Sequence, residues 1–268
     1  MRIIRQEQQG VPFYACDGFA GTAHGFSTRL GGISPAPWDS LNLGANRGDD
    51  PDRVRENFRR FCAALGTNFH TIVKNHQVHS DLVRPVTLTD VAEDCALPSK
   101  HDADGLITDV PGLCLTIFSA DCIPVFLYDP VKRVIAATHA GWRGTALGIA
   151  ARAAEQMQQD YGCHPGNILA AIGPGISPCC FETHQDVPDG LRAGLGSAAE
   201  SYIRPLPQEG KFSVDLKGAN AHWLRQAGLD PEHIAICSAC TCCDLSQFWS
   251  HRKLGNQRGS MAAMIQLL

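Results

Sequence analysis

The chain has 268 residues, 44% hydrophobic and 19% charged, a composition that supplies a full core and excludes a disordered or fibrous protein. A formal net charge of −4 weighs against a broad phosphate-tracking surface, so nucleic acid is not an expected partner. Residues 1–10 (MRIIRQEQQG) hold no signal-peptide run, and no stretch approaches the ~18 apolar residues of a membrane span, so the expectation is a cytoplasmic protein without membrane contact.

In chain order, residues 51–65 form the first predicted helix. Val54, Phe58, Phe61, Cys62 and Leu65 follow helical spacing, Asp50 caps, Pro51 suits the first turn and Gly66 stops it. Apolar, β-branched runs at 113–118, 123–128 and 133–138 read as strands. A second helix is expected from about Thr145 to Tyr161, ended by Gly162, then strands at 168–172, 234–237 and 260–266. A third helix covers Asp215 to Ala227, with Leu216, Ala219, Trp223 and Leu224 inward. Strict βαβ alternation is missing, and no linker divides the chain. An α+β (mixed α/β) class follows, with mixed β-sheets flanked by helices in one domain over 1–268.

Twelve cysteines in a long chain of this kind point to reduced thiols, buried or metal-bound, rather than a disulfide scaffold. One of them sits in the most informative stretch, 119–144 (SADCIPVFLYDPVKRVIAATHAGWRG). Asp129 and Pro130 favour a turn between the strands at 123–128 and 133–138. Pairing Tyr128 with Arg133 sets Cys122 directly opposite His139 on one face, at the open end of the hairpin. Such a pair suits two ligands of one metal or a thiolate–imidazole couple. The following loop (His139 to Gly144) offers glycines and Arg143 beside a helix start, a place for an anion.

A third ligand would complete a catalytic zinc site, which leaves one position open. The segment 75–80 (NHQVHS) offers His76 and His79. Three apart in a strand they face opposite ways, so one of them at most would point at a given site. The segment 24–34 offers Ser27 and Arg29 as anion contacts, and 40–44 is similar. Cys237, Cys240, Cys242 and Cys243, with Cys179-Cys180 elsewhere, allow a structural zinc, but no second CxxC stands at ribbon spacing and packed thiols are favoured. The zincin, P-loop, serine-hydrolase and cytidine-deaminase motifs are all missing.

Taken together, HGFSTRLGGIS (24–34), SLNLG (40–44), NHQVHS (75–80), DADGLITDVPG (102–112), SADCIPVFLYDP (119–130), THAGWRG (138–144), IGPGIS (172–177) and FWSHR (248–252) resemble the laccase-domain family, also called YfiH-like or multicopper polyphenol oxidase-like. The resemblance spans almost the whole chain and implies a CNF/YfiH-like layered fold. It implies metal ligation, and with it catalysis, by His79, Cys122 and His139, with Ser27, Arg29, Asn42, Gln77, Asp121 and Arg143 as candidates for substrate binding. The implied cofactor is zinc, with copper as the alternative. The implied partners are purine nucleosides (adenosine, inosine, guanosine, methylthioadenosine) and phosphate, for phosphorolysis together with adenosine deamination. Phosphate would attack ribose C1′, oriented by Arg29 or Arg143, and metal-activated water would attack purine C6. Asp121 or His76 would move a proton, or Asp121 would instead hold a metal ligand in place from behind.

The tail departs from the family, with His251-Arg252-Lys253 and Gly259-Ser260-Met261 where further arginines are common, which weighs against an anion-binding role there. Two rivals stand beside this reading. One is a copper-dependent polyphenol oxidase, disfavoured because no HxH pair occurs. The other is a Cys122/His139 hydrolase acting on peptidoglycan precursors.

Overall fold

Residues 123–129 (IPVFLYD) and 134–140 (VIAATHA) are apolar or small on both faces, a pattern that demands cover above and below. In the computed structural model, which describes residues 1–268, they form β8 (Ile123–Asp129) and β9 (Val134–Ala140), and every residue of both is buried. They lie in a six-stranded mixed sheet of order β14 (Ile234–Ile236), β10 (Leu169–Ile172), β8, β9, β6 (Gly105–Thr108), β5 (Val83–Pro85). A second six-stranded sheet runs β1 (Ile3–Gln8), β2 (Val11–Cys16), β3 (Thr22–Ser27), β15 (Met261–Leu267), β7 (Cys114–Ser119), β4 (Ile72–Lys74). A small third sheet joins β11 (Glu182–Thr183), β13 (Phe212–Val214) and β12 (Ile203–Pro205).

Alternation along β8 and β9 divides their side chains between two cores. Phe126, Tyr128, Ile135 and Ala137 pack between the large sheets with Phe26, Leu115, Ile117 and Ile265. Phe126 stacks on Phe26 with centroids 4.4 Å apart and planes 17° from parallel. On the other face, Ile123, Val125, Leu127, Val134 and Ala136 meet α3 (Ile149–Tyr161), α4 (Asp186–Leu195) and α5 (Leu216–Gln226). The outer face of the second sheet is covered by α1 (Pro51–Leu65) through Val54, Phe58, Phe61 and Cys62. The layers are therefore helix, sheet, sheet, helices, the mixed architecture expected.

The first helix matches its reading closely. The Asp50 side chain accepts from the Asp52 amide, and Gly66 ends the helix at φ 74°. The second divides in two, α2 (Trp142–Ala146) and α3, because Gly148 takes the left-handed conformation at φ 78°. Trp223 Nε1 donates to the Thr145 carbonyl at that break, at 2.7 Å. The N-terminal strands β1, β2 and β3 and the short β4, β5 and β6 were not foreseen.

The hairpin pairs two residues away from the expected register. Asp129 stays in the strand opposite Val134, and Ile123 lies opposite Ala140. The Asp129 carboxylate accepts from the Val131 and Lys132 amides, at 2.8 and 3.0 Å, and Arg133 adopts φ 55°, so the loop is Pro130 to Arg133. Cys122 and His139 are accordingly diagonal rather than directly opposed. A shift of two preserves the face, so both keep the side of the sheet that faces the second sheet.

His24 on β3 borders this inter-sheet core, against Phe19 and Phe126. Its Nε2 accepts from the Cys16 amide, and burial pulls its pKa down to about 4. Between about pH 6.5 and about 4 the unfolded chain binds a proton that the folded chain refuses, so this group's stabilisation is lost as pH falls through that window. The loss should be on the order of 3 kcal/mol. Denaturant unfolding of wild type and His24→Gln across the window checks it, and the variant's profile should be flatter.

Candidate metal centre

Strand ends from both large sheets, and the loops beside them, converge around one opening. Lys74 ends β4, Phe118 and Ser119 end β7, Cys122 precedes β8, His139 lies near the end of β9 and Ser260 precedes β15. They line a cavity of about 510 Å³, within the ~300–1,000 Å³ usual for small-molecule sites.

Into it project His79, Cys122 and His139, whose ligand atoms all lie within 4.8 Å of one another. His139 is buried, Cys122 half-buried and His79 exposed, so the group opens on one side. The His79 and His139 rings meet edge to face at 4.9 Å between centroids. Two imidazoles and a thiolate with an open side fit one transition-metal ion that keeps a free position.

What holds the two histidines together is a residue that sequence reasoning left without a role, Asp104. Its side chain is wholly buried and accepts from five donors. They are His139 Nδ1 (2.8 Å), the amides of Val78 (3.2 Å), His79 (3.1 Å) and Ser80 (2.6 Å), and Ser80 Oγ (2.8 Å). The Asp104 carbonyl also receives the His139 amide, at 2.7 Å. Bonding Nδ1 leaves Nε2 of His139 for the centre and fixes the ring. The three amides define a turn in which His79 takes φ 61°, and this aims its side chain inward. Burial alone would raise the Asp104 pKa, but the bonds from His139 and Ser80 outweigh it and hold the carboxyl at about 2. On His139, burial opposes the charged form, yet Cys122 and Asp104 together lift the pKa to about 9. Burial, aided by the charge of His139, lowers that of His79. The signal for Asp104 lay in the DADG stretch, where a carboxylate stands between Ala103 and Gly105 just ahead of an apolar strand.

The segment after Lys74 is a loop rather than a strand, so His76 and His79 both border the cavity, contrary to the expectation of one. His76 Nδ1 lies 2.8 Å from Asp102 Oδ1.

The other candidates divide. Gln77 lines the cavity, with its amide bridging Phe118 N and O at 2.7 and 2.8 Å. Ser27 accepts from the Ala262 amide, and Asn42 accepts from the amides of Gly44 and Ser260, so both act as links between segments. Arg29 lies over Trp249 at 3.7 Å and donates to the carbonyls of Asp39 and Leu245, away from the cavity. Arg143 lies over Trp142 at 4.2 Å, likewise outside the lining. Asp121, also outside it, accepts from Thr241 (2.7 Å), Ser250 (2.9 Å) and the Arg252 amide (2.7 Å). Its carboxylate fastens the C-terminal segment beside Cys122.

That segment corrects the reading of the tail. His251, Arg258 and Ser260 line the cavity, joined by Arg47 and Lys74, and no carboxylate does. Arg258 is buried, its Nε has no hydrogen-bond partner, and neither it nor Arg47 makes an ion pair. Burial and the neighbouring Arg47 charge lower the Arg258 pKa to about 10. Two unpaired guanidiniums in a wall without acids make a place for an anion.

Residues 23–268 match the family described as multi-copper polyphenol oxidoreductase laccase. The chain belongs to that laccase-domain family. It is 37% identical over 270 residues to the purine nucleoside phosphorylase YlmD of Geobacillus stearothermophilus, covering 98% of this chain and 96% of that one. It is 38% identical over 259 residues to a purine nucleoside phosphorylase of Deinococcus radiodurans, covering 96% and 94%. The crystal structure of a hypothetical protein YfiH from Bacillus licheniformis superposes with a TM-score of 0.93 at 33% identity, over 98% of this chain and 99% of that one. No helix is long and apolar enough to cross a membrane.

Gly141, between His139 and α2, has no room for a side chain. A Cβ there would stand 2.5 Å from His79 Nδ1 and 3.2 Å from Cys122 Sγ. Gly141→Ala should therefore displace His79 and lower metal affinity by about 10–100-fold, the range for disturbed ligand support. Competition with a chromogenic chelator measures it, and unchanged affinity would contradict the packing described.

Proposed function

We propose that this laccase-domain protein is a zinc-dependent purine nucleoside phosphorylase, acting on adenosine, inosine, guanosine and methylthioadenosine, and that the same cavity deaminates adenosine. The single observation that carries the reading is the juxtaposition of a His79–Cys122–His139 group with an acid-free wall holding Arg47 and Arg258. A neutral nucleoside and a phosphate anion need these two kinds of recognition side by side. The relatives named purine nucleoside phosphorylase support it.

In this proposal His79, Cys122 and His139 hold the zinc ion, and Asp104 fixes two of them. When bound, zinc supplies Lewis-acid polarisation of the nucleoside and, for deamination, of a water molecule. Arg47 and Arg258 bind phosphate and orient one of its oxygens toward ribose C1′. As the new C1′–O bond forms, the bond from C1′ to the base nitrogen breaks and its electron pair leaves with the base. His76, steadied by Asp102, supplies the proton that the departing base takes up. Gln77 braces the backbone of Phe118 at the cavity wall. Phosphate orientation thereby passes from Arg29 and Arg143 to the arginines that line the cavity. The whole chain, 1–268, is taken as one domain.

Of the groups able to hold a metal, this is the one that contains histidine. A single three-ligand centre suits one zinc ion and not the histidine-rich cluster of a multicopper oxidase.

Incubation with adenosine, with and without phosphate, followed by chromatography, tests the proposal. Adenine should appear only with phosphate, and inosine in either case. Cys122→Ala should abolish both products. Arg258→Ala should raise the KM for phosphate at least tenfold and leave phosphate-independent deamination within about twofold. Phosphorolysis persisting in metal-free Cys122→Ala protein would falsify the shared centre.

A further inference from the structure

All twelve cysteines are free thiols, and four of those in the C-terminal half converge at one place. Cys179 and Cys180 come from the turn after β10, and Cys240 and Cys243 from the loop after β14. The four sulfurs all lie within 4.8 Å of one another. We propose that Cys179, Cys180, Cys240 and Cys243 form a second metal site, a tetrathiolate that holds a structural zinc ion.

The spacing separates this from a disulfide. Cys243 Sγ stands 3.4 Å from both Cys179 Sγ and Cys180 Sγ. A disulfide requires about 2.05 Å. Four sulfurs bonded at ~2.3 Å to a tetrahedral zinc ion lie about 3.8 Å apart. A single thiol equidistant from two others fits a shared central ion better than either cross-link. Both loops are shaped to present sulfur. Cys240 and Cys243 close a CxxC turn in which the amides of Cys243 and Asp244 return to the Cys240 carbonyl, at 3.2 and 3.3 Å. The opposite turn is closed by the amides of Cys180 and Phe181 on the Ser177 carbonyl, at 2.9 and 3.0 Å. The Ser177 amide crosses between the loops to donate to Cys240 Sγ, at 3.3 Å, a bond that favours thiolate at a metal ligand.

The surroundings suit the charge. Zinc with four thiolates carries two negative charges. The buried Lys217 ammonium lies behind the loops, donating to the carbonyls of Cys237 and Ala239 and to Ser177 Oγ, at 2.9, 2.7 and 3.2 Å. Arg252 donates to the Cys180 carbonyl, at 3.1 Å. Formation is balanced by release of the thiol protons to solvent as four Zn–S bonds form.

Four protein ligands leave no open position, so the role is to fasten. The ion would join the turn at 177–181 to the start of the segment that Asp121 anchors through Thr241 and Ser250 and that carries His251 and Arg258 to the cavity. It would do so independently of the histidine-containing centre.

The test is zinc stoichiometry of the full-length protein, purified under reducing conditions without chelator. About two zinc ions per chain are expected, and about one should remain in Cys122→Ala. Because removing the buried Cys240 risks unfolding, the exposed Cys179 supplies the second arm. Cobalt-substituted Cys122→Ala protein should show intense tetrahedral d–d bands and thiolate-to-cobalt charge transfer. Adding Cys179→Ser should cut that charge transfer by about a quarter. Zinc-free Cys122→Ala protein would overturn the proposal, as would a mass two hydrogens short from a Cys179–Cys243 or Cys180–Cys243 disulfide.

Discussion

One buried carboxylate organises the candidate centre. Asp104 gathers the turn at residues 78–80, the ring of His139 and the start of β6 around a single fixed negative charge. A carboxylate out of water is costly unless nearly all its lone pairs are used, and five donors use them here. The same bonds place His79 at a positive φ that would cost an isolated non-glycine residue about 1–2 kcal/mol. The ligand set is thus held by two of its members through one residue behind them, and by the third, Cys122, through its neighbour Asp121. A metal bound there would meet ligands already fixed by the Asp104 and Asp121 carboxylates.

The cavity follows from the layering. The facing sides of the two sheets are filled with Phe26, Phe126, Leu115 and Ile265, and the cavity lies where the strands give way to loops. One sheet supplies Cys122 and His139, the other supplies Lys74 and Ser119, and the C-terminal segment contributes His251 and Arg258. Strand β9 carries His139, while loops carry Cys122, His79, Arg47 and Arg258, the first two steadied by the Asp121 and Asp104 carboxylates behind them.

Local pattern made α1 legible to the residue, because cap, periodicity and stop signal agree. Cys122 and His139 were legible as a same-face pair because a register error of two cannot change the face. An error of one would have put them on opposite sides. The register itself was missed because the Asp129 side chain closes the loop from within the strand, and a positive φ at Arg133 is not written in its residue type. Asp104 and Arg258 were illegible as partners of the centre for another reason: their neighbours come from 24 to 35 residues away or from the opposite end of the chain. Ser27 and Asn42 show the converse, while Asp121 takes the supporting role that was its alternative reading. Polar residues in recognisable stretches were read as substrate contacts, whereas here they satisfy backbone amides that join distant segments. A motif does not distinguish a residue that touches a ligand from one that holds up its neighbour.

The most direct measurement is a crystal structure of Asp104→Asn, soaked with zinc. The account predicts an undisturbed hairpin with Cys122 in place, a rotated His139 ring, and His79 withdrawn from the centre. Superimposable positions for all three side chains, with zinc fully bound, would contradict it.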